Sequence, residues 1–218
     1  MADAVVSENQ KFSIKEVFDT FQLCVTENKE VKIDQYVAGW RGLVRFLNSL
    51  GTVFYFIAKD AASKIQIMVN YRNGENGAQY ATIQSMVKYE LENDLVDLTE
   101  KASFPESGCR TLLRLHRALH WLELFLERLR TSTEDDKTSV MCSESYNESL
   151  ALFHPYMIRK ASGLAFCTLP RRYTFFEVMN VGTPDQVVAM LGEALPLVSE
   201  VYQLTQDLYS KHNILDIP

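Results

Sequence analysis

Glycine and proline are scarce in this chain, nine and six in 218 residues. With little sustained β-branched alternation, that scarcity argues against a sheet-rich protein and for a mostly helical one. An excess of basic residues is missing too. Net charge is −6, so no global field draws nucleic acid to the surface, and any anion site must be local. The opening stretch MADAVVSENQ has neither a basic-plus-apolar signal nor an Arg-rich transit pattern. No apolar run of bilayer-spanning length is evident, which points to an intracellular protein. The four cysteines, Cys24, Cys109, Cys142 and Cys167, lack metal-like or redox-like spacing and read as small, partly buried apolar residues.

What is present fits one soluble domain over residues 1–218, with residues 1–10 expected to be flexible. At 47% hydrophobic, the chain can fill a full core but offers no second unit. Ser13 with Glu16 reads as a capping box for a first helix through about Asn28. Asp34 opens a second, which Gly51 closes, and Thr52 starts a third running to Arg72. After a loop at 73–78, the segment from Gln79 to about Glu100 is again amphipathic. SFPESG precedes a long helix from Cys109 to Arg130, and polar TSTEDDKTS separates that from a helix through Leu152. Another runs from about His154 to before Pro170, and a short one spans Phe175 to Asn180. Thr183, Pro184 and Gln186 cap the last long helix, which Pro196 should kink. About eight helices are expected, with no internal repeat.

Three features stand out. In the third helix, Val53, Ile57, Ile67, Met68 and Tyr71 share a face, and Asp60 and Lys64 fall between them. Burying charge costs several kcal/mol unless it is paired, so the two either form an i,i+4 ion pair at the edge of a wide apolar face or await a polar ligand. On the Cys109–Arg130 helix, Arg110, Arg114 and Arg117 lie within about 60° of one another, with Trp121 next along the stripe and no acid between. Such a stripe is a phosphate cradle, a solvated basic face or a set of structural ion pairs. His154 heads a stripe of Ile158, Ala161 and Ala165, as a core histidine or as a donor beside the other polar groups. His116, His120, Glu123 and Glu127 also share a face, but without HExxH order they read as solvated rather than as a zinc site. No metal or cofactor is expected. No Ser/His/Asp set or carboxylate cluster accompanies the Arg stripe, so an enzyme is not expected either.

The stretches GWRGLVRFLNSLGTVFYFIAKDAASK, ESGCRTLLRLHRALHWLELFLERLRTS, ALFHPYMIRKA with AFCTLP, and MNVGTPDQVVAMLGEALP resemble the glycolipid transfer protein superfamily in its phospho-ceramide branch. The likeness runs over nearly the whole chain. It implies an all-α, two-layer helical sandwich whose layers part to admit two hydrocarbon chains, with a polar headgroup site at the entrance. By this resemblance Asp60 accepts from the ceramide amide N–H, His154 donates to the amide carbonyl, and Lys64, Arg110 and Arg114 bind phosphate. Arg117 is outside the carried-over motif and joins the cradle only by the wheel. The glycolipid branch has an Asn one turn after the Asp, where Lys64 stands here, and a Trp platform for sugar.

The implied function is non-vesicular transfer of ceramide-1-phosphate between membranes, by a protein that acts as a monomer. A cytosolic location follows, with transient contact to Golgi, endosomal and plasma membranes. A phosphomonoester carries about −1.5 to −2 charges and needs several cations or strong donors on leaving water. Phe46, Leu50, Val53, Phe54 and Ile57 are expected to cover the hydrocarbon, at about 0.8 kcal/mol per buried methylene. Trp40 and Tyr156, with Arg159 and Lys160, are the candidates for docking on an anionic membrane surface, Trp40 being equally readable as core. Rival readings are a ceramide-1-phosphate sensor, a carrier of a neutral glycosphingolipid and a purely structural helical protein.

Overall fold

The computed structural model describes residues 11–96, 98 and 106–218, and the side chains of Thr52 and Val53 are outside that description. Residues 1–10, expected to be flexible, and the expected helix end at Glu100 also lie outside the described residues. Among the described residues nine α-helices follow one another: α1 Ile14–Gln22, α2 Ile33–Ser49, α3 Thr52–Asn73, α4 Ile83–Glu92, α5 Gly108–Thr131, α6 Thr138–Glu148, α7 Tyr156–Phe166, α8 Arg172–Met179 and α9 Pro184–Lys211. Short 3-10 turns at Gly77–Tyr80 and Leu150–Phe153 sit between them. Among the described residues the only β pairing is two isolated bridges, so the all-helical expectation holds.

Several boundaries differ from the sequence reading, each for a local reason. The first helix stops at Gln22 rather than Asn28, because Val25 and Val31 pair across a turn in which Lys29 has φ 60°. Ser13 makes no side-chain cap, and Glu16 pairs instead with Arg45 of α2 at 2.5 Å. The segment read as one helix from Gln79 is a 3-10 turn followed by α4, which starts at a Thr82–Ser85 capping box. The helix expected through Leu152 ends at Glu148 and passes into the second 3-10 turn. His154 precedes α7 instead of lying on it, because Pro155 takes the N-cap position. The Thr183–Gln186 capping box forms as expected, with Pro196 inside α9.

Helix α5 is the spine. It packs against α3, α4, α6 and α9, while α1 fills the angle between α2 and α9. The approach of α1 to α2 depends on two glycines: a Cβ on Gly39 would meet the Phe21 ring at 2.5 Å, and one on Gly42 would meet Val17 at 2.8 Å. Phe46, Phe125 and Phe175 then interlock α2, α5 and α8. Helix α9 has a window of mean hydropathy 1.3, long and apolar enough by length and composition to cross a bilayer, contrary to the sequence reading. Here it serves as a core helix, with Val187, Leu191, Val201 and Tyr209 buried against α1 and α5.

The start of α5 is fixed by a buried carboxylate. Glu90 of α4, 1% exposed, accepts from the backbone N–H groups of Gly108 (2.7 Å) and Cys109 (2.8 Å) and from the Tyr80 hydroxyl (2.9 Å). An anion at a helix N-terminus satisfies donors that have no partner within the helix and complements the helix dipole. Tyr209 of α9 adds a bond to the Cys109 carbonyl. The rotation of α5 about its axis, and hence the direction of its arginines, is set by these contacts.

Candidate functional site

A cavity of about 930 Å3 opens between the α2–α3 pair on one side and α5, α6 and α7 on the other. Its wall is largely apolar, including Trp40, Leu47, Ile57, Leu115, Trp121 and Phe166. Charged and polar side chains gather on the same lining: Asp60, Lys64, Arg114, Arg117, His154 and Asp216. Five helices, the turn before α7 and the segment after α9 thus bring together residues far apart in sequence.

Asp60 and Lys64 form an ion pair of 2.6 Å, with the lysine side chain 14% exposed and the aspartate 68% exposed. The cation is the partner drawn into the wall. Arg114 is held from behind: its Nη1 donates to the Arg110 carbonyl at 2.9 Å and lies 3.0 Å from the Glu106 carboxylate. The wheel showed no acid on α5 near this stripe, and the counter-ion comes from the segment just before the helix. Arg117 donates to the Leu215 carbonyl at 2.5 Å, and its guanidinium stacks 3.8 Å from the Phe153 ring centre. Burial weakens its hold on the proton, Asp216 opposes that effect, and Arg114 adds to it. Two guanidiniums therefore face the cavity already oriented, which lowers the ordering cost of gripping an anion.

Arg110 is placed differently from the expectation. It is 1% exposed and does not line the cavity, lying a turn earlier on the core side of the stripe. His154, half-buried, lies on the lining, and the Tyr146 hydroxyl is 2.7 Å from its Nδ1. Burial depresses its pKa below the ordinary imidazole value, Asp60 acts in the opposite sense, and Arg117 reinforces the depression. Ile158, Ala161 and Ala165 line the cavity beside it, as the stripe predicted.

Of the residues expected to cover hydrocarbon, Ile57 lines the cavity, and the Val53 side chain lies outside the described residues. Phe46 packs against Phe12 and Phe175, Phe54 against Phe166, and Leu50 is buried, so these three are core rather than wall. Trp40 is fully buried and forms wall, which excludes it as a surface docking group here. Tyr156 is exposed, with Lys160 5.0 Å from its ring centre, and Arg159 is exposed beside it. Sequence reasoning passed over the exposed neighbours Leu152, Phe153, Met157, Ile158 and Leu164. The apolar run between Leu150 and Ile158 was the available signal.

The face carrying His116, His120, Glu123 and Glu127 is not solvated as expected. His116 is 1% exposed, stacks on Tyr202 of α9 at 4.3 Å and meets Gln206 at 2.7 Å. His120 stacks on the same tyrosine, and Glu127 pairs with Arg130. The two histidines hold α9 to α5, whereas the Glu127–Arg130 pair stays within α5. Cys24, Cys109 and Cys142 are buried, whereas Cys167 is exposed.

A cavity enclosed by helices, apolar within and cationic along one wall, suits an amphiphile with an anionic head. The model of the glycolipid transfer protein (GLTP) family matches residues 31–181. The chain belongs to the glycolipid transfer protein family. It is 67% identical over 218 residues to the ceramide-1-phosphate transfer protein of Danio rerio, covering all of both chains. Its fold superposes on the crystal structure of human ceramide-1-phosphate transfer protein in complex with 2:0 ceramide-1-phosphate, with a TM-score of 0.91 at 56% identity, covering 96% of this chain and 100% of that one. The apo form of the mouse protein gives a TM-score of 0.93 at 53% identity, covering 95% of this chain and 100% of that one. The glycolipid transfer protein family is a family of lipid carriers, not of enzymes.

Proposed function

We propose that this protein, acting as one domain over residues 1–218, extracts ceramide-1-phosphate from one membrane, carries it shielded from water and releases it to another. The observation that carries this reading is the single cavity wall on which Lys64, Arg114 and Arg117 stand next to Asp60 and His154, above an apolar interior. The volume of about 930 Å3 is near the upper end of ordinary ligand pockets, roughly 300–1,000 Å3. The likeness to curated ceramide-1-phosphate transfer proteins supports the same lipid.

In this reading Lys64, Arg114 and Arg117 bind the phosphate, with Arg110 adding positive charge from the core side. Asp60 accepts from the amide N–H and His154 donates to the amide carbonyl. A neutral sugar would bring no negative charge to this cationic wall, which disfavours the glycosphingolipid alternative. Hydrocarbon burial supplies most of the binding energy, and the polar groups discriminate among headgroups. No covalent step is involved.

Docking uses the exposed crest of the second 3-10 turn and α7, where Tyr156 and Met157 enter the interface and Arg159 and Lys160 meet anionic headgroups. The protein works between membranes as a cytosolic monomer, and those of the Golgi, endosome and plasma membrane are the proposed donors and acceptors. The decisive test is vesicle-to-vesicle transfer of fluorescent ceramide-1-phosphate beside a ceramide monohexoside, at protein far below lipid. Multiple turnovers for the phosphate lipid alone support the reading. Stoichiometric binding without transfer would make the protein a sensor, and equal transfer of both lipids would remove the headgroup assignment.

A further inference from the structure

This inference rests on the lipid-carrier reading and concerns the residue behind His154. Tyr146 is 4% exposed, its ring edge-on to Trp121 and Phe166, and its hydroxyl stands 2.7 Å from His154 Nδ1. No other hydrogen-bond partner reaches that hydroxyl among the described residues.

A phenol has one proton to place. If Nδ1 carried the ring hydrogen, the tyrosine would accept it, and its own O–H, on the cavity lining, would face no protein acceptor among the described residues. An unsatisfied buried donor is costly, so the pair is stable with the tyrosine donating to a bare Nδ1. The ring hydrogen is then on Nε2, the nitrogen left to meet a ligand. His154 is also kept neutral by its burial, so one tautomer is defined.

We propose that Tyr146 is a positioning residue that locks His154 into its Nε2–H tautomer, presenting one fixed donor to the amide carbonyl of a sphingolipid. The opposite tautomer would set a lone pair against that carbonyl. Asp60, an acceptor on the same lining, already suits the amide N–H, so a donor is the complement an amide requires. An ester-linked glycerolipid phosphate has no N–H to offer Asp60, and its carbonyl is a weaker acceptor. The locked histidine therefore contributes to selection of sphingoid over glycerol backbones, separately from the selection of phosphate.

The test is Tyr146→Phe, which keeps the aromatic packing. Side-chain nitrogen NMR on protein without added lipid reads the His154 tautomer, and binding is measured for ceramide-1-phosphate and for a diacylglycerol phosphate of matched chain length. Wild type is expected to show hydrogen on Nε2 alone, and the variant to populate both tautomers. Affinity for ceramide-1-phosphate should fall about threefold to tenfold, with a smaller loss for the glycerolipid. Hydrogen on Nδ1 in wild type, an unmoved tautomer in the variant, or equal losses for both lipids overturns the inference. If the tautomer shifts as expected but wild type binds no ceramide-1-phosphate, the carrier reading falls and takes the ligand half of this inference with it.

Discussion

Lys64 reaches back one helical turn to hold Asp60 at 2.6 Å, and the lysine is the more buried of the two. The pair keeps a cation stored in the cavity wall beside an acceptor that remains accessible. On the proposed reading, a lipid phosphate takes over Lys64 and leaves Asp60 open to the amide N–H next to it.

Asp60→Val should therefore abolish ceramide-1-phosphate transfer while changing unfolding free energy by only about 0.5 kcal/mol, since an i,i+4 pair whose carboxylate is exposed to water contributes little. Denaturant unfolding and vesicle transfer on the same preparation check this. A variant that unfolds early would make the pair structural.

Arg114→Leu and Arg117→Leu should each weaken binding of ceramide-1-phosphate by about tenfold or more, as expected for a charge-assisted hydrogen bond. Binding of the uncharged parent ceramide should change little. Titrations at rising salt should also show a shallower dependence in the variants than in wild type.

Glu90→Ala should lower stability by about 3 kcal/mol, because two N–H groups at the head of α5 and the Tyr80 hydroxyl lose a buried acceptor together. Chemical denaturation measures the loss. Transfer assays on the folded fraction should show reduced phosphate selectivity, since the helix bearing Arg114 is no longer fixed.

His116 has its pKa pushed down to about 4, chiefly by burial, with the Gln206 contact and Glu123 acting in the opposite sense and His120 and Arg117 in the same sense. A histidine depressed in the folded state favours folding fully above its unfolded pKa of roughly 6.5. That contribution, on the order of 3 kcal/mol, is lost as pH falls from there through about 4. Unfolding curves across this range should steepen in their loss of stability for wild type relative to His116→Gln. Parallel pH profiles would remove His116 from the explanation.

Met157→Glu should reduce association with anionic vesicles by about tenfold or more, since it places a charge at an exposed crest position meant for the interface. Binding of a short-chain, water-soluble ceramide-1-phosphate should be unchanged. A sedimentation assay separates the two effects.

Helix identity was legible because periodicity and caps act locally: α5 appears within a residue of its expected ends, and α9 starts at its expected cap. The misread stretches are those decided by short-range bridges and caps that leave no periodic signal. The turn after α1 depends on a bridge between Val25 and Val31, and the cap of α7 on Pro155. Asp60 and Lys64 could be found in sequence because charge on an apolar stripe is anomalous by itself, Arg114 because three arginines share one face, and His154 only in company with these. Trp40 and Phe46 carry no such signal, as a large apolar side chain looks the same whether it lines a cavity or fills a core. The Tyr146–His154 contact was hidden for another reason, since it depends on how a 3-10 turn folds back between two helices.

Helix α5 performs two tasks on separate faces. Its leucines and aromatics form the spine, while Arg114 and Arg117 stand on the cavity lining, held there by Glu106, the Leu215 carbonyl and the Phe153 ring. If these two arginines bind the headgroup as proposed, cargo preference is a replaceable label on a permanent frame. A redesign that exchanged those two arginines for planar or hydroxyl-bearing side chains could redirect the carrier to another headgroup without renegotiating the architecture that holds the tails.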